Sequence, residues 1–358
     1  MSKKLIFIGN SLKTMINFRG ELIEELAARG NRCLLICPTD CEYNSTPNVT
    51  VINAPLEGRD INLWMIIKSI LSIYKNINSI DTIFAYSIKP IIISKIASLL
   101  KGARINIFFI GLGGVFLNKR YLLIKYLCKA FFRFLYFDSI IALNRSDKVI
   151  LEEITRKEVL ILKGEGLPRN ISNKEISHVD FPRGKVFTVL RAFKDKGVNE
   201  FLDTISELRK HQLDVEVLVF GFNEREALLK LGDEWVRRCN KLNVALMGYD
   251  SEFLNNISGR DIFILNSPRE GLSRTVMEMV QLKVPIIAYD VPGVSDILMK
   301  YSPEMLFQFN HNEAMAKKIS SIIELPDDDF VELASSQFRS SSEFFTISEV
   351  VDFYERII

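Results

Sequence analysis

Short apolar runs alternate with longer segments of helical periodicity along almost the whole chain. The runs are continuous rather than alternating, which is typical of strands buried on both faces of a parallel sheet. In the first half the expected strands are KLIFI, CLLIC, VTVIN, DTIFA, INIFFI and SIIAL, and the expected helices are 18–29, 62–77, 90–101 and 121–136. Such alternation predicts a doubly wound α/β domain.

The alternation stops at residues 163–184, a stretch with little periodicity that we interpret as a linker, and then resumes. The later strands are KVFTVL, VEVLVF, NVALMG, DIFIL and VPIIAY, and the later helices are 198–211, 224–238, 250–257 and 273–282. The 358 residues exceed one typical core. We therefore expect two tandem Rossmann-like domains, 1–168 and 169–343, followed by a terminal helix, 344–358. This helix either stays with the second domain or crosses back to pack on the first. Because ligands bind at the carboxyl ends of such strands, a central cleft between facing domains is the expected site.

The composition excludes several classes of protein. Apolar residues make up 48% and charged residues 25% of the chain, as in ordinary globular proteins. Cys33 and Cys37 fall inside a strand-like run with no histidine nearby, which favours buried thiols over a metal site and indicates a reducing, cytoplasmic compartment. The opening MSKKLIFIGNSL is too short in apolar residues for a secretory signal, and no run is long enough to span a membrane.

Positive charge is concentrated in the first half. Residues 1–168 carry 23 Lys and Arg against 14 Asp and Glu, and no acidic residue lies between Asp81 and Asp138. Within 118–137, the cations Lys125, Lys129 and Arg133 recur at helical spacing and share one stripe. Two interpretations stay open here: a core helix with a solvated basic stripe, or an interfacial helix that contacts an anionic membrane.

The stretch SPREGLSRTVMEMVQ places two carboxylates around the start of a helix. Ser273 is a plausible N-cap, and Glu278 lies inside the helix among apolar neighbours. A buried carboxylate needs a cation or hydrogen-bond donors, so Glu278 indicates either a structural salt bridge or a contact with ligand hydroxyls such as those of ribose. Glu270 stands at the carboxyl end of a strand, and Gly271 lets backbone amides approach a phosphate at the helix start.

A second motif, VLRAFKDKGVNEF, places cations at the end of another strand. Arg191 follows the strand, and Lys196 precedes Gly197, which opens a helix. Cations in this position can clamp a diphosphate, although a solvated basic loop has the same pattern.

Together the two motifs resemble the retaining glycosyltransferases of the GT-B fold, family 4. The resemblance implies that Arg191 and Lys196 bind the donor diphosphate, that Glu270 contacts the donor sugar, and that Glu278 binds the ribose. It also implies that three residues lend backbone amides to the phosphate and sugar: Gly271, Leu272 and Ser273. The glycine that usually precedes Arg191 is absent from this sequence.

Phrases of the first half resemble the family-4 enzymes that build bacterial surface glycans, including O-antigen, capsule and lipid-linked oligosaccharide. They are NFRGELIEELAARG, YSIKP, FIGLGGVF, NRSD and KGEGL. The resemblance implies a set of acceptor-side residues: Asn17, Arg19, Gly111 and Gly113. A histidine common in this cleft has no counterpart, because His178, His211 and His311 are not placed for that role.

The resemblance implies transfer, with retention, from a nucleotide-diphosphate donor, UDP-linked by preference, to a glycan on a polyprenyl diphosphate. We expect a peripheral enzyme on the cytoplasmic face of an anionic membrane, with no nucleic-acid partner, no cofactor and no metal. GNSLKTM and GLGGVF both lack the complete dinucleotide-binding glycine pattern. Two alternatives stay open: a UDP-GlcNAc 2-epimerase of the same architecture, and a non-catalytic subunit that binds a sugar nucleotide or glycan.

Overall fold

The computed structural model describes residues 3–43, 46–56, 62–112, 122–172, 184–250 and 252–358. The chain divides into two compact units. Unit 1 comprises Met1–Pro168 together with Phe345–Ile358, and unit 2 comprises Arg169–Phe344. The terminal helix is therefore part of unit 1.

Unit 1 is built on a parallel sheet whose described strands follow the order β3-β2-β1-β4-β5-β6-β7. The strands are β1 Lys4–Ile8, β2 Arg32–Cys37, β3 Val49–Asn53, β4 Thr82–Tyr86, β5 Arg104–Phe109, β6 Ser139–Ala142 and β7 Leu160–Ile161. The helices are α1 Leu12–Ala28, α2 Leu63–Asn76, α3 Ile88–Leu99, α4 Leu122–Phe134, α5 Arg145–Thr155 and, at the end of the chain, α14 Ile347–Ile357. In register, Leu5 of β1 lies between Cys33 of β2 and Thr82 of β4.

Both faces of this sheet are buried, and alternate side chains of each strand point to opposite faces. On one face Ile6, Ile83 and Ile105 belong to a core cluster that also takes in residues of α2, α3, α4 and α5. On the other face the rings of Phe7, Phe84 and Phe108 surround Tyr354 of α14, with centroid distances of 6.4, 4.9 and 5.1 Å. Helix α14 is started by a capping box between Thr346 and Glu349.

Unit 2 has a second parallel sheet, with its described strands in the order β10-β9-β8-β11-β12-β13. The strands are β8 Val186–Val189, β9 Val217–Phe220, β10 Val244–Gly248, β11 Ile262–Leu265, β12 Ile286–Tyr289 and β13 Leu306–Phe307. The α-helices are α6 Arg169–Ser172, α7 Val198–Arg209, α8 Glu224–Leu231, α9 Asp233–Lys241, α10 Arg274–Gln281, α11 Pro292–Leu298, α12 Asn312–Ile323 and α13 Asp327–Phe338. Shorter 3-10 turns occupy Lys194–Lys196, Phe253–Asn256, Pro303–Met305 and Arg339–Glu343.

The prediction of two parallel-sheet α/β domains is confirmed, but some element bounds were wrong. The first helix begins at Leu12 and not at residue 18, because Ser11 caps it through the amide of Thr14. The single helix expected at 224–238 is two helices, because Gly232, with φ of 96°, interrupts the chain between them. Among the described helices, none combines the length and apolar character needed to cross a bilayer.

Candidate active site

The turn after β8 is the first part of the candidate site in unit 2. Arg191 is exposed at the end of the strand, and a 3-10 turn then carries the chain through Lys194–Lys196. Gly197 follows with φ of 78°, a conformation that favours glycine, and it begins α7. A Cβ at this position would overlap the backbone carbonyl of Asn266, so the turn packs tightly against the end of β11.

The loop after β11 is the second part. Asn266 and Ser267 are buried. The Ser267 hydroxyl donates to the Arg269 carbonyl at 3.0 Å, directly before Glu270. Gly293, near the start of α11, lies so close that an added Cβ would overlap the Gly271 carbonyl. Packing from two sides therefore fixes the backbone on which Glu270 and Gly271 stand.

These two parts bring Lys196 and Glu270 together. The Lys196 Nζ lies 2.9 Å from the Glu270 Oε1, and the side chains are 22% and 18% exposed. The two residues are 74 positions apart in sequence, so the contact depends on β8 and β11 being neighbours in the sheet. A cation and a carboxylate thus meet at the carboxyl edge of the sheet, where ligands of doubly wound domains bind.

Helix α10 supplies the third part. Its N-cap is Ser273, whose side chain accepts a hydrogen bond from the Val276 amide, so the predicted cap is confirmed. The helix start lies directly after Glu270, Gly271 and Leu272. A helix N-terminus carries partial positive charge and suits an anionic ligand such as phosphate.

Glu278 lies one turn into α10 and is 8% exposed. The Arg274 Nε donates to its Oε1 at 2.9 Å, so the structural salt bridge left open by the sequence is present. Burial raises the pKa of the Glu278 carboxyl, and the Arg274 charge opposes that rise. A contact between Glu278 and a ribose stays a prediction.

The two acceptor-side residues expected on α1, Asn17 and Arg19, differ in their exposure to solvent. Asn17 is exposed on α1. Arg19 is 2% exposed: its guanidinium pairs with Glu165 and lies 3.8 Å from the centroid of the Tyr86 ring. The charge of Arg19 is thus compensated inside unit 1, and its assignment to the acceptor side stays a prediction.

Gly111 follows β5 with φ of 143°, at the carboxyl edge of the unit 1 sheet. The next amide, that of Leu112, donates to the buried Asp147 Oδ2 at 3.3 Å, and Asn144 caps the helix that carries Asp147. The NRSD motif thus contacts the chain directly after Gly111. Gly113 lies outside the described residues.

The basic stripe of unit 1 lies on α4, whose N-terminal flank 118–121 is outside the described residues. Lys125 and Lys129 are half-buried and Arg133 is exposed. On the same helix Cys128 and Phe132 are buried, whereas other large apolar side chains are exposed: Tyr126, Leu127 and Phe134. The helix therefore presents apolar surface as well as charge.

Several residues that shape these sites were not singled out from the sequence. Glu165 was visible only as the middle of KGEGL, and Asp147 only as the end of NRSD. Asn266 has its Nδ2 3.0 Å from the Thr204 hydroxyl, and that hydroxyl lies 3.0 Å from the Asn312 Oδ1, so buried polar contacts link the loop after β11 to α7 and α12. No group of three or more His, Cys, Asp or Glu side chains with metal-binding geometry occurs in the part of the chain that is described.

Comparisons with known proteins show which family and which fold the chain resembles. Residues 172–336 match the family described as Glycosyl transferases group 1. The capsular polysaccharide biosynthesis glycosyltransferase CapM of Staphylococcus aureus is 26% identical over 133 residues, which are 37% of this chain and 35% of CapM. An N,N'-diacetylbacillosaminyl-diphospho-undecaprenol alpha-1,3-N-acetylgalactosaminyltransferase of Campylobacter jejuni is 22% identical over 89% of each chain. An uncharacterized glycosyltransferase of Haemophilus influenzae is 24% identical over 62% of this chain and 61% of its own length.

Solved structures show the same fold. Sucrose-phosphate synthase from Thermosynechococcus elongatus has a TM-score of 0.79 at 15% identity, covering 99% of this chain and 98% of its own. HepE of Anabaena, solved in complex with UDP and glucose, has a TM-score of 0.74 at 13% identity, with the same coverage. The chain therefore has the two parallel-sheet domains of the GT-B fold, and residues 172–336, within its unit 2, match the Glycosyl transferases group 1 family.

Proposed function

We propose that the protein transfers a hexosyl or N-acetylhexosaminyl residue from a nucleoside-diphosphate donor, with UDP preferred, to a lipid-linked glycan. The observation that carries the proposal is the meeting of Lys196 and Glu270 beside the N-terminus of α10. At one sheet edge, the cation and the helix start suit the diphosphate of such a donor. The carboxylate suits the hydroxyls of the sugar and the positive charge that develops on it during transfer.

Departure of the diphosphate leaves negative charge on the leaving oxygen. Lys196, Arg191 and the amides at the start of α10 stabilise that charge. Glu270 orients the donor sugar as positive charge develops at its anomeric carbon. Glu278 binds the ribose hydroxyls from within the helix.

We infer that the transfer proceeds with retention and without a protein nucleophile, the acceptor hydroxyl entering on the face from which the diphosphate leaves. The positive charge required by the diphosphate comes from the chain itself, so the reaction needs no metal ion. Activity in EDTA equal to that in magnesium would agree with this, and a strict metal requirement would contradict it.

The acceptor class is inferred from the relatives. CapM acts in capsular polysaccharide biosynthesis, and the Campylobacter enzyme is named for a diphospho-undecaprenol acceptor. A polyprenyl diphosphate is anionic and embedded in a membrane. The stripe of Lys125, Lys129 and Arg133 on α4 suits such a surface. We therefore propose a peripheral enzyme on the cytoplasmic face of the membrane.

The donor site is tested by calorimetry with UDP, GDP, ADP and their common sugar conjugates. We expect UDP to bind, Lys196→Met to weaken it, and the exposed control Lys230→Met to leave it unchanged. The absence of nucleotide binding to a folded protein would contradict the proposal. Incubation with UDP-N-acetylglucosamine alone separates transfer from epimerisation, because release of a 2-epimer without acceptor would identify the epimerase instead.

A further inference from the structure

Helix α2 of unit 1 carries an exposed apolar face. Leu63 and Trp64 are 71% and 70% exposed, and Ile67 and Leu71 continue the same face at helical spacing. Isolated exposed apolar residues are ordinary, but four on one helix face form a continuous patch.

The exposed face of α2 does not pack into the core of unit 1. The opposite side of α2 packs Ile73 into the core of unit 1, and the Ser69 hydroxyl there donates to the carbonyls of Pro55 and Met65. Asn62 caps the helix through the amides of Trp64 and Met65. Because these contacts already seat α2, the exposed face is left for a partner.

The charged residues of α2, α3 and α4 are all basic, whereas Glu57 and Asp60, which precede α2 in the sequence, lie outside the described residues. Lys68 and Lys75 border the apolar face on α2, and α2, α3 and α4 contain no Asp or Glu. The three helices contribute to one core cluster and therefore cover the same face of the sheet. Helix α4 adds the exposed Tyr126 and Phe134 beside its cations. Large apolar side chains beside lysines, on helices that contain no acid, match the interface of a bilayer that contains anionic lipid.

The position of α2 suits this role. It connects the end of β3 to the start of β4, and since both strands run in the same direction, its first turn lies towards the carboxyl edge of the sheet. Leu63 and Trp64 are in that first turn. The apolar face thus begins at the edge of unit 1 where a ligand of such a sheet is expected.

We propose that the exposed face of α2 inserts into the interfacial layer of an anionic bilayer, with Trp64 at headgroup depth and α4 on the same side of the unit 1 sheet. This inference rests on the membrane-embedded acceptor of the proposed function. It adds a second helix, with its own apolar side chains, to the basic and apolar surface of α4.

The two tryptophans of the chain allow a direct test. Trp64 is exposed, whereas Trp235 is buried and donates to the Val198 carbonyl at 3.3 Å. Vesicles of phosphatidylcholine with phosphatidylglycerol should shift the emission of Trp64 to shorter wavelength, and vesicles of phosphatidylcholine alone should have a much smaller effect. Trp64→Phe should abolish the shift while leaving co-sedimentation with the vesicles within about twofold.

A double variant, Leu63→Ser with Ile67→Ser, keeps the reporter and removes apolar surface, so partitioning should fall about tenfold or more. The matched control is Leu229→Ser, which removes an exposed leucine from α8 of unit 2 and should leave partitioning unchanged. Circular dichroism of each variant shows whether the fold is kept.

Three outcomes would overturn the inference: no shift with either kind of vesicle, an equal loss for Leu229→Ser, or a shift that follows protein concentration without lipid. The last result would assign the face to a second copy of the chain. Because no donor or acceptor is present, a negative result leaves the donor-site proposal standing, and that proposal is tested separately by nucleotide binding.

Discussion

The ion pair between Lys196 and Glu270 makes a specific prediction about donor binding. If the diphosphate of the donor binds Lys196, it must compete with Glu270 for the same ammonium group. Replacing Glu270 by Gln keeps the shape of the side chain and removes the competing charge. The variant should therefore bind UDP more tightly than the wild type while transferring sugar more slowly.

The expected size follows from the geometry. The Nζ and Oε1 atoms are 2.9 Å apart, and about a fifth of each side chain is exposed. Direct attraction between such charges is about 6 kcal/mol at an effective dielectric constant near 20, and the lost hydration of both groups offsets most of it. A net value of about 1 kcal/mol corresponds to UDP binding about five- to tenfold tighter in Glu270→Gln. Loss of the sugar contact should lower kcat by about 100-fold.

Calorimetry with UDP measures the binding constant, and the opposite variant gives the reference. Lys196→Met removes a charge-assisted hydrogen bond worth about 1.5–3 kcal/mol, so its affinity should fall by at least tenfold. Glu226→Gln removes the exposed pair between Glu226 and Lys230 in the same unit and should change nothing. If Glu270→Gln weakens UDP binding as Lys196→Met does, Glu270 contacts the nucleotide, and the competition between the two anions is refuted.

Three further predictions concern the stability of the two units. Glu165→Gln leaves the buried guanidinium of Arg19 without its counter-charge, so urea denaturation should show a loss of about 3 kcal/mol, and a loss below about 1 kcal/mol would contradict this. Because burial raises the pKa of Glu278, the folded state retains a proton that the unfolded state has lost; the stability of the wild type relative to Glu278→Gln should fall as pH rises from about 4.5, and a rise would contradict this. Gly197→Ala should be more destabilising than Gly232→Ala, since both have positive φ but only the first would overlap a backbone carbonyl; equal losses in thermal melts would be the opposing result.

Most strands could be predicted from the sequence because a parallel strand that is buried on both faces consists of consecutive apolar residues. KLIFI and DIFIL coincide with β1 and β11 within one residue. The short edge strand β13, Leu306–Phe307, has no such run and was missed, because two residues at a sheet edge carry too little pattern. The break at Gly232 was missed because one glycine inside an amphipathic segment is compatible with a continuous helix.

The candidate site was predictable in its residues but not in its contacts. Lys196 and Glu270 were each found from a local motif, yet their pairing depends on strand order across 74 residues. The pairing of Arg19 with Glu165 could not be predicted for the same reason, since the two residues lie 146 positions apart. Local pattern indicates which side chains are polar, but tertiary structure decides whether a charge is compensated inside the fold or available to a ligand.

The central claim is that the site around Glu270 transfers a sugar to a lipid-linked acceptor. The most direct measurement incubates the protein with UDP-sugars and a lipid extract of bacterial membranes, and follows the extract by mass spectrometry. The wild type should add the mass of one glycosyl residue to a polyprenyl-diphosphate glycan, and a folded Glu270→Ala variant should not. An equal mass gain with Glu270→Ala, or none with any UDP-sugar while the folded wild type binds UDP, would contradict the claim.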